Sequence, residues 1–219
     1  GAGDAVFVPD FTFFASAEVI SLEGAHPVFV DVEEDTFNIS ATDLESKIKE
    51  TIAQGQYNPK AIIAVDLFGL PANYKALQAI AEQYGLKIIE DGAQGFGGAL
   101  EGKRACGFGD IGTTPFFPAK PLGCYGDGGA IFTDNDEYAA LADSFRVHGK
   151  GSFKYDNVRI GVNSRLDTLQ AAILQVKFKA FKEYELDAVN KAAKLYDEIL
   201  AGRGGTPVIP EGYYSSWAQ

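Results

Sequence analysis

Ala61-Ile62-Ile63-Ala64-Val65, then Tyr74-Lys75-Ala76-Leu77-Gln78-Ala79-Ile80-Ala81-Glu82-Gln83-Tyr84, then Leu86-Lys87-Ile88-Ile89-Glu90-Asp91 is the stretch that decides the fold class. Its first segment is apolar without alternation, as a strand covered on both faces must be. The second is amphipathic at helical spacing, and the third returns to a short β-branched run. Strand, helix and strand at this spacing imply a mostly parallel α/β sheet, because a parallel neighbour needs a crossover, usually a helix. Working outward, Val6-Phe7-Val8 before Pro9 and the segment from Pro27 to Val32 read as further strands, with a helical pattern over 13–23 between them. Ser40-Ala41-Thr42-Asp43 reads as a capped helix start, with Leu44, Ile48 and Ile52 expected on one buried face.

Downstream, residues 107–127 are rich in Gly, Pro and aromatics and read as irregular chain, Gly128 to Thr133 as a strand, and 134–147 as a helix with Asp and Asn at its mouth. Ser164-Arg165-Leu166-Asp167 resembles a capping box opening a long helix, with Leu166, Leu169, Ile173, Val176 and Ala180 on its core face and neither Pro nor Gly before Gly202. Such a helix would run roughly 50 Å at about 1.5 Å per residue. A helix of that length bridges domains, so residues 1–180 are expected to form a large domain and 181–219 the start of a smaller C-terminal one.

The chain has 219 residues, 46% hydrophobic and 22% charged, which is ordinary globular composition. A formal net charge of −11 and a pI near 4.6 argue against nucleic acid or an anionic membrane as partner, since both need a basic surface. Small-molecule chemistry is the expectation. The 2 cysteines, Cys106 and Cys124, lack metal-site spacing, and His26 and His148 lie far apart, so the reading is reduced thiols in a cytoplasmic protein with no metal. The sequence contains no methionine, Gly1-Ala2-Gly3-Asp4 reads as a turn before a strand, and Tyr213 to Gln219 begins a strand-like segment, so the chain is read as part of a longer protein.

In parallel α/β sheets ligands sit beyond the carboxyl ends of the strands. That rule singles out Asp91, which is followed by the small residues Gly92-Ala93 and by Gln94-Gly95. Taken alone, an aspartate there is more often a turn former satisfying backbone N–H groups. Lys120 stands between Pro118 and Pro121, after Phe116 and Phe117, which is not a solvated helix face; an apolar setting favours the nucleophilic amine. Taken alone it reads as a surface loop lysine. Together, an amine able to form an imine and an acid able to hold a pyridine nitrogen's proton are what a pyridoxal phosphate site requires.

Pro9-Asp10-Phe11-Thr12-Phe13, Glu90-Asp91-Gly92-Ala93-Gln94, Phe116-Phe117-Pro118-Ala119-Lys120-Pro121-Leu122-Gly123, Gly126-Asp127-Gly128-Gly129-Ala130, Arg146-Val147-His148-Gly149 and Asn163 to Ala172 occur in that order along essentially the whole chain. In this set the sequence resembles the DegT/DnrJ/EryC1/StrS sugar aminotransferases. The resemblance implies a pyridoxal-phosphate-dependent transferase of fold type I, aspartate aminotransferase-like, working as a homodimer with a shared active site. It implies Lys120 as the Schiff-base lysine and proton carrier, Asp91 on the ring nitrogen, Gln94 at the ring hydroxyl or the neighbouring substrate region, and Phe13 stacked on the ring. Asn163 falls where the family supplies a phosphate contact from the partner subunit, while His148 and Arg165 stand in matching motifs that a structural role explains as well.

The expected partners are a keto nucleotide sugar and an amino-acid donor, glutamate, in cell-surface polysaccharide or amino-sugar biosynthesis. The lysine motif looks most like the branch acting on UDP-linked 2-acetamido-keto sugars, 3-oxo-uronates among them. Pro115 departs from the family pattern, which has a phosphate-binding serine there; proline offers neither hydroxyl nor N–H. The family's upstream phosphate-cradling helix start lies before this chain's first residue. Other readings are a truncated or degenerate relative without activity, and a pyridoxal-phosphate-dependent sugar dehydratase, which would carry histidine in place of Lys120. A nicotinamide-binding fold is disfavoured, since no G-x-G-x-x-G links a strand to a helix.

Overall fold

A computed structural model describes residues 1–153 and 155–218 of the chain. Alternating elements build its sheet: β1 (Asp4–Pro9), α1 (Ala15–Leu22), β2 (His26–Val30), α2 (Ala41–Gln54), β3 (Asn58–Val65), α3 (Tyr74–Tyr84) and β4 (Lys87–Asp91). The short strands β5 (Ala99–Leu100) and β6 (Lys103–Arg104) follow, then β7 (Ile111–Pro115), β8 (Gly129–Phe132) and α4 (Asp136–Phe145). The sheet order is β2-β1-β3-β4-β7-β8, with every pairing parallel except the last, β7 with β8. Among the described residues no helix is long and apolar enough to cross a membrane.

The apolar run in β3 is explained by what lies on either side of it. Ile62 and Ala64 face a core with Phe7, Leu44, Ile48, Tyr74, Leu77 and Ile88, under α2 and α3. Ile63 and Val65 face the opposite way, onto Val8, Ile20 and Leu67, under α1. Successive side chains of a strand point to opposite faces, so a strand buried on both must be apolar throughout.

The capped start at Ser40 is present: its side chain accepts from the Asp43 N–H, and Asn73 and Asn135 cap α3 and α4 in the same way. Gly85 ends α3 in the left-handed conformation at φ 68°, which a side chain would strain. Leu44 and Ile48 are buried as expected, but Ile52 is 53% exposed and Thr51 takes the inward position. At about 100° per residue, a strict i, i+4, i+8 series drifts off a core-facing stripe, and position i+7 lies nearer it.

Two further expectations are corrected. The segment read as irregular contains β7, Ile111-Gly112-Thr113-Thr114-Pro115, whose composition is poor for a strand and whose conformation comes from pairing between β4 and β8. The long helix starts at α5 (Thr168–Ala180) with Asp167 as N-cap and no side-chain capping bond. It continues through a π-helical turn, Phe181–Glu185, into α6 (Leu186–Leu200). Its inward residues are Leu174 and Phe181, packed with Phe116, Leu122 and Cys124, whereas Leu169 and Val176 of the expected face are 78% and 73% exposed. The apolar stripe on α5 is wider than the contact it makes within this chain, so the stripe alone does not say which side of it faces inward.

Beyond α6 the chain runs back to β5 and to the loop after β3. β9 (Tyr213–Tyr214) pairs antiparallel with β5, and the backbone N–H groups of Ser216 and Ala218 donate to the carbonyls of Gly69 and Phe68.

Candidate functional site

The carboxyl ends of β1, β3, β4 and β7 lie side by side along one edge of the sheet, because these strands are adjacent and parallel. The loops leaving them carry Thr12 and Phe13, then Asp66 to Gly69, then Asp91 to Gly95, then Phe116 to Gly128 with Lys120. The expected residues Phe13, Asp91, Gln94 and Lys120 are therefore delivered to the same edge by topology.

Asp91 closes β4, where it pairs with Val65 on one side and Thr113 on the other. Its Oδ2 accepts from the Ser16 hydroxyl at 2.8 Å, and its Oδ1 accepts from the Ala93 N–H at 3.1 Å. Ser16 Oγ is in turn 3.1 Å from Thr12 Oγ1. An ionised carboxylate has about four lone-pair sites, so these donors orient it and leave capacity for one more, such as a pyridinium N–H. In that respect the residues fit the coenzyme that the sequence resemblance implies. Neither Ser16 nor Thr12 was singled out in the sequence: a serine in the first turn of a helix is common, and only the crossing of α1 over β4 reveals its partner.

Gln94 Oε1 accepts from the Phe68 N–H at 2.6 Å, tying the β3 and β4 loops together. Phe68 itself has φ 54°, unusual for an aromatic, and its ring meets Phe11 and Phe37 edge-on. Backbone strain of this kind persists only where surrounding contacts impose it. Those contacts include the returning C-terminal segment: the Ser216 hydroxyl donates to the Gln94 carbonyl at 2.8 Å. A Cβ on Gly69, at φ 94°, would lie 2.5 Å from both Ser216 Oγ and Trp217 N. Gly69→Ala should therefore lower stability by about 1–3 kcal/mol through overpacking at a strained position, measured by denaturant unfolding. An unchanged midpoint would show that the C-terminal segment does not sit on this loop.

Phe13 is 74% exposed at this edge, an aromatic face open to a ligand. Lys120 is half-buried in a turn where its own N–H donates to the Phe117 carbonyl at 2.9 Å. The loop around it is fixed. Phe116 N–H donates to Gly128, Cys124 N–H donates back to Phe116, and Tyr125 N–H donates to Gln170 Oε1 on α5. Phe116, Leu122 and Cys124 bury themselves against Leu174 and Phe181, which explains the apolar residues flanking the lysine.

Asn163 is not brought to this edge. It bridges Val147 and lines an open cleft with Thr113, Thr114, Pro115 and Arg165 that includes none of Phe13, Asp91, Gln94 and Lys120. Pro115 ends β7 opposite Gly129 and can donate nothing. The neighbouring hydroxyls are already engaged, Thr113 with the Glu90 carbonyl and Thr114 with the Gly92 carbonyl.

Comparison with known proteins adds to this geometry. The profile of the DegT/DnrJ/EryC1/StrS aminotransferase family matches residues 1–218. A Pseudomonas aeruginosa protein named UDP-2-acetamido-2-deoxy-3-oxo-D-glucuronate aminotransferase is 47% identical over 100% of this chain and 59% of its own length. An Acidithiobacillus ferrooxidans protein named UDP-N-acetyl-3-dehydro-alpha-D-glucosamine 3-aminotransferase is 40% identical over 100% of this chain and 57% of its own. A crystal structure of a DegT DnrJ EryC1 StrS aminotransferase from Brucella abortus superimposes with a TM-score of 0.97 at 53% identity, covering 100% of this chain and 58% of that one. The chain thus spans less than two thirds of the relatives it matches.

Proposed function

Because this chain belongs to the DegT/DnrJ/EryC1/StrS aminotransferase family, we propose that the whole protein moves an amino group from an amino-acid donor, glutamate, to the keto group of a UDP-linked 2-acetamido sugar. The names of the P. aeruginosa and A. ferrooxidans relatives support that substrate class. The observation that carries the reading is the placing of Asp91 and the Lys120 loop at the carboxyl ends of the neighbouring parallel strands β4 and β7.

Bound at this edge, pyridoxal phosphate would serve as the sink for the electron pair left when a C–H bond beside the amino group breaks. The protein's residues do the rest. Lys120 would hold the coenzyme through its amine, and the same amine would move the proton that the reaction displaces. Asp91, oriented by Ser16 and the Ala93 N–H, keeps the ring nitrogen protonated. Phe13 would cover a ring face, and Gln94 would meet the ring hydroxyl or the neighbouring substrate region. Asn163 would serve the phosphate of the partner subunit's site in a homodimer, in keeping with its lining a cleft that does not include Asp91. A large domain over 1–180, a smaller one beginning at 181, and a cytoplasmic location belong to the same proposal.

Pro115 favours a second reading, a relative that retains the fold and holds the coenzyme weakly, since neither adjacent threonine hydroxyl is available to replace a serine. The full-length protein separates the two. Incubated with pyridoxal phosphate and glutamate, an aminotransferase converts glutamate to 2-oxoglutarate in proportion to bound coenzyme and regenerates on adding the keto sugar. No coenzyme absorbance and no 2-oxoglutarate would favour the second reading.

Ser16→Ala tests the orientation of Asp91. A hydrogen bond to a charged group is worth about 1.5–3 kcal/mol, so turnover should fall about 10- to 100-fold while coenzyme is retained. Turnover equal to the parent would remove Ser16 from the account.

A further inference from the structure

Behind the edge that carries Asp91 and Gln94 lie the carboxyls Asp66, just past β3, and Glu90, in β4, both 0% exposed. Their partners differ. Glu90 accepts from the backbone N–H of Cys106 through Oε1, and from Phe108 and Gly109 through Oε2 at 2.6 and 3.2 Å. A carboxyl facing only donors is satisfied as an anion. Asp66 accepts through Oδ1 from Tyr74 Oη at 2.7 Å and Ala72 N at 3.0 Å, but its fully buried Oδ2 has no donor among the described residues. The side chain facing Asp66 within hydrogen-bonding reach is Glu90 itself.

A buried oxygen without a donor and adjacent buried anions are both costly. A single proton removes both costs. We propose that Asp66 holds a proton on Oδ2 and donates it to the Glu90 carboxylate, making Asp66 a positioning residue that clamps the Phe68 loop to the Asp91–Gln94 loop with one negative charge behind the site instead of a pair.

The surroundings agree. Among the described residues, the ionisable groups that act on Asp66 or feel its charge are Glu90 from β4, Tyr74 from α3, Cys106 from the loop after β6, and Tyr213 from β9, and none of these is a cation. Burial first, and then the Glu90 charge, push the Asp66 carboxyl well above the usual carboxylate range. Burial and the same carboxylates push the Cys106 thiol up, leaving it uncharged, so it adds no further negative charge. Gly95 packs its Cα against the Asp66 carboxyl, where any side chain would collide, so the β4 loop rests directly on this group. From there the clamp extends through the Phe68 N–H to Gln94.

The test needs no coenzyme, so its failure is separate from failure of the transamination reading. Carbon-13 NMR of the chain labelled at aspartate carboxyls should show a carboxyl that stays protonated through neutral pH and is missing in Asp66→Asn. Asp66→Asn, whose amide can donate to Glu90 and still accept from Tyr74, should fold. Its Tm should match the parent's below about pH 4, the ordinary aspartate range, and exceed it above that by roughly 3–5 °C per pH unit until Asp66 ionises. The sign follows from linkage: a proton held only by the folded state costs stability as pH rises. Exchange of the Phe68 amide hydrogen should quicken in Asp66→Ala and stay slow in Asp66→Asn. Glu90→Gln, which turns an N–H toward backbone donors, should melt lower at every pH. No protonated aspartate at neutral pH, or Asp66→Asn melting lower while Glu90→Gln is tolerated, would overturn the proposal.

Discussion

Lys120→Ala is expected to leave a folded protein without transamination. General acid–base transfer alone contributes about 10²–10⁴-fold. Lys120 is assigned that role and also the covalent hold on the coenzyme, so turnover should drop by roughly 10⁴-fold or more. The fold should survive, because the loop is held by main-chain bonds and by Phe116, Leu122 and Cys124 rather than by the lysine side chain. Its Tm should therefore stay within a degree or two of the parent's. Substantial turnover in the single-turnover reaction with glutamate would move the chemistry to another residue. Loss of both Tm and activity would show only a folding defect, so the circular-dichroism melt is measured alongside.

Asp91→Asn is the second large effect. The neutral amide keeps the size of the side chain; its oxygen can still accept from Ala93 while its NH2 donates to the Ser16 hydroxyl oxygen, but it cannot hold a proton on a ring nitrogen. The variant should bind coenzyme with only a modest loss. Its turnover should fall about 10²–10³-fold, the scale on which removing one preorganised electrostatic partner slows an enzyme. Unchanged turnover would separate Asp91 from the ring nitrogen. A loss of coenzyme binding as large as the loss of rate would make Asp91 a binding group only.

How legible these features were depends on where the information resides. The β3-α3-β4 unit is legible because its residues are buried by their own periodicity: Ile62 and Ile63 serve opposite cores, and Leu77 and Ala81 share one helical face. Asp91 and Lys120 could be found because a strand end and an unusual lysine loop are local features. β7 could not, since Gly112, Thr113 and Thr114 become a strand through neighbours distant in sequence. Ser16 could not either, being linked to Asp91 across 75 positions by the crossing of a helix over the sheet. The face of α5 is legible only in part, since Ile173 packs against the cluster as expected while Leu169 and Val176 do not. Its apolar stripe is broad, and the Lys120 loop, which no periodicity reveals, selects Leu174 and Phe181 from it. Asn163 was legible only through family resemblance, because its expected role belongs to another subunit.

The account depends on the Lys120 amine and the Asp91 carboxylate serving one coenzyme ring. Borohydride reduction of the full-length protein loaded with pyridoxal phosphate, followed by peptide mass mapping, tests this most directly. The prediction is a single pyridoxyl-modified peptide spanning Phe116 to Tyr125 with the label on Lys120. Label on a different lysine, or bound coenzyme that reduction leaves unattached, would contradict it.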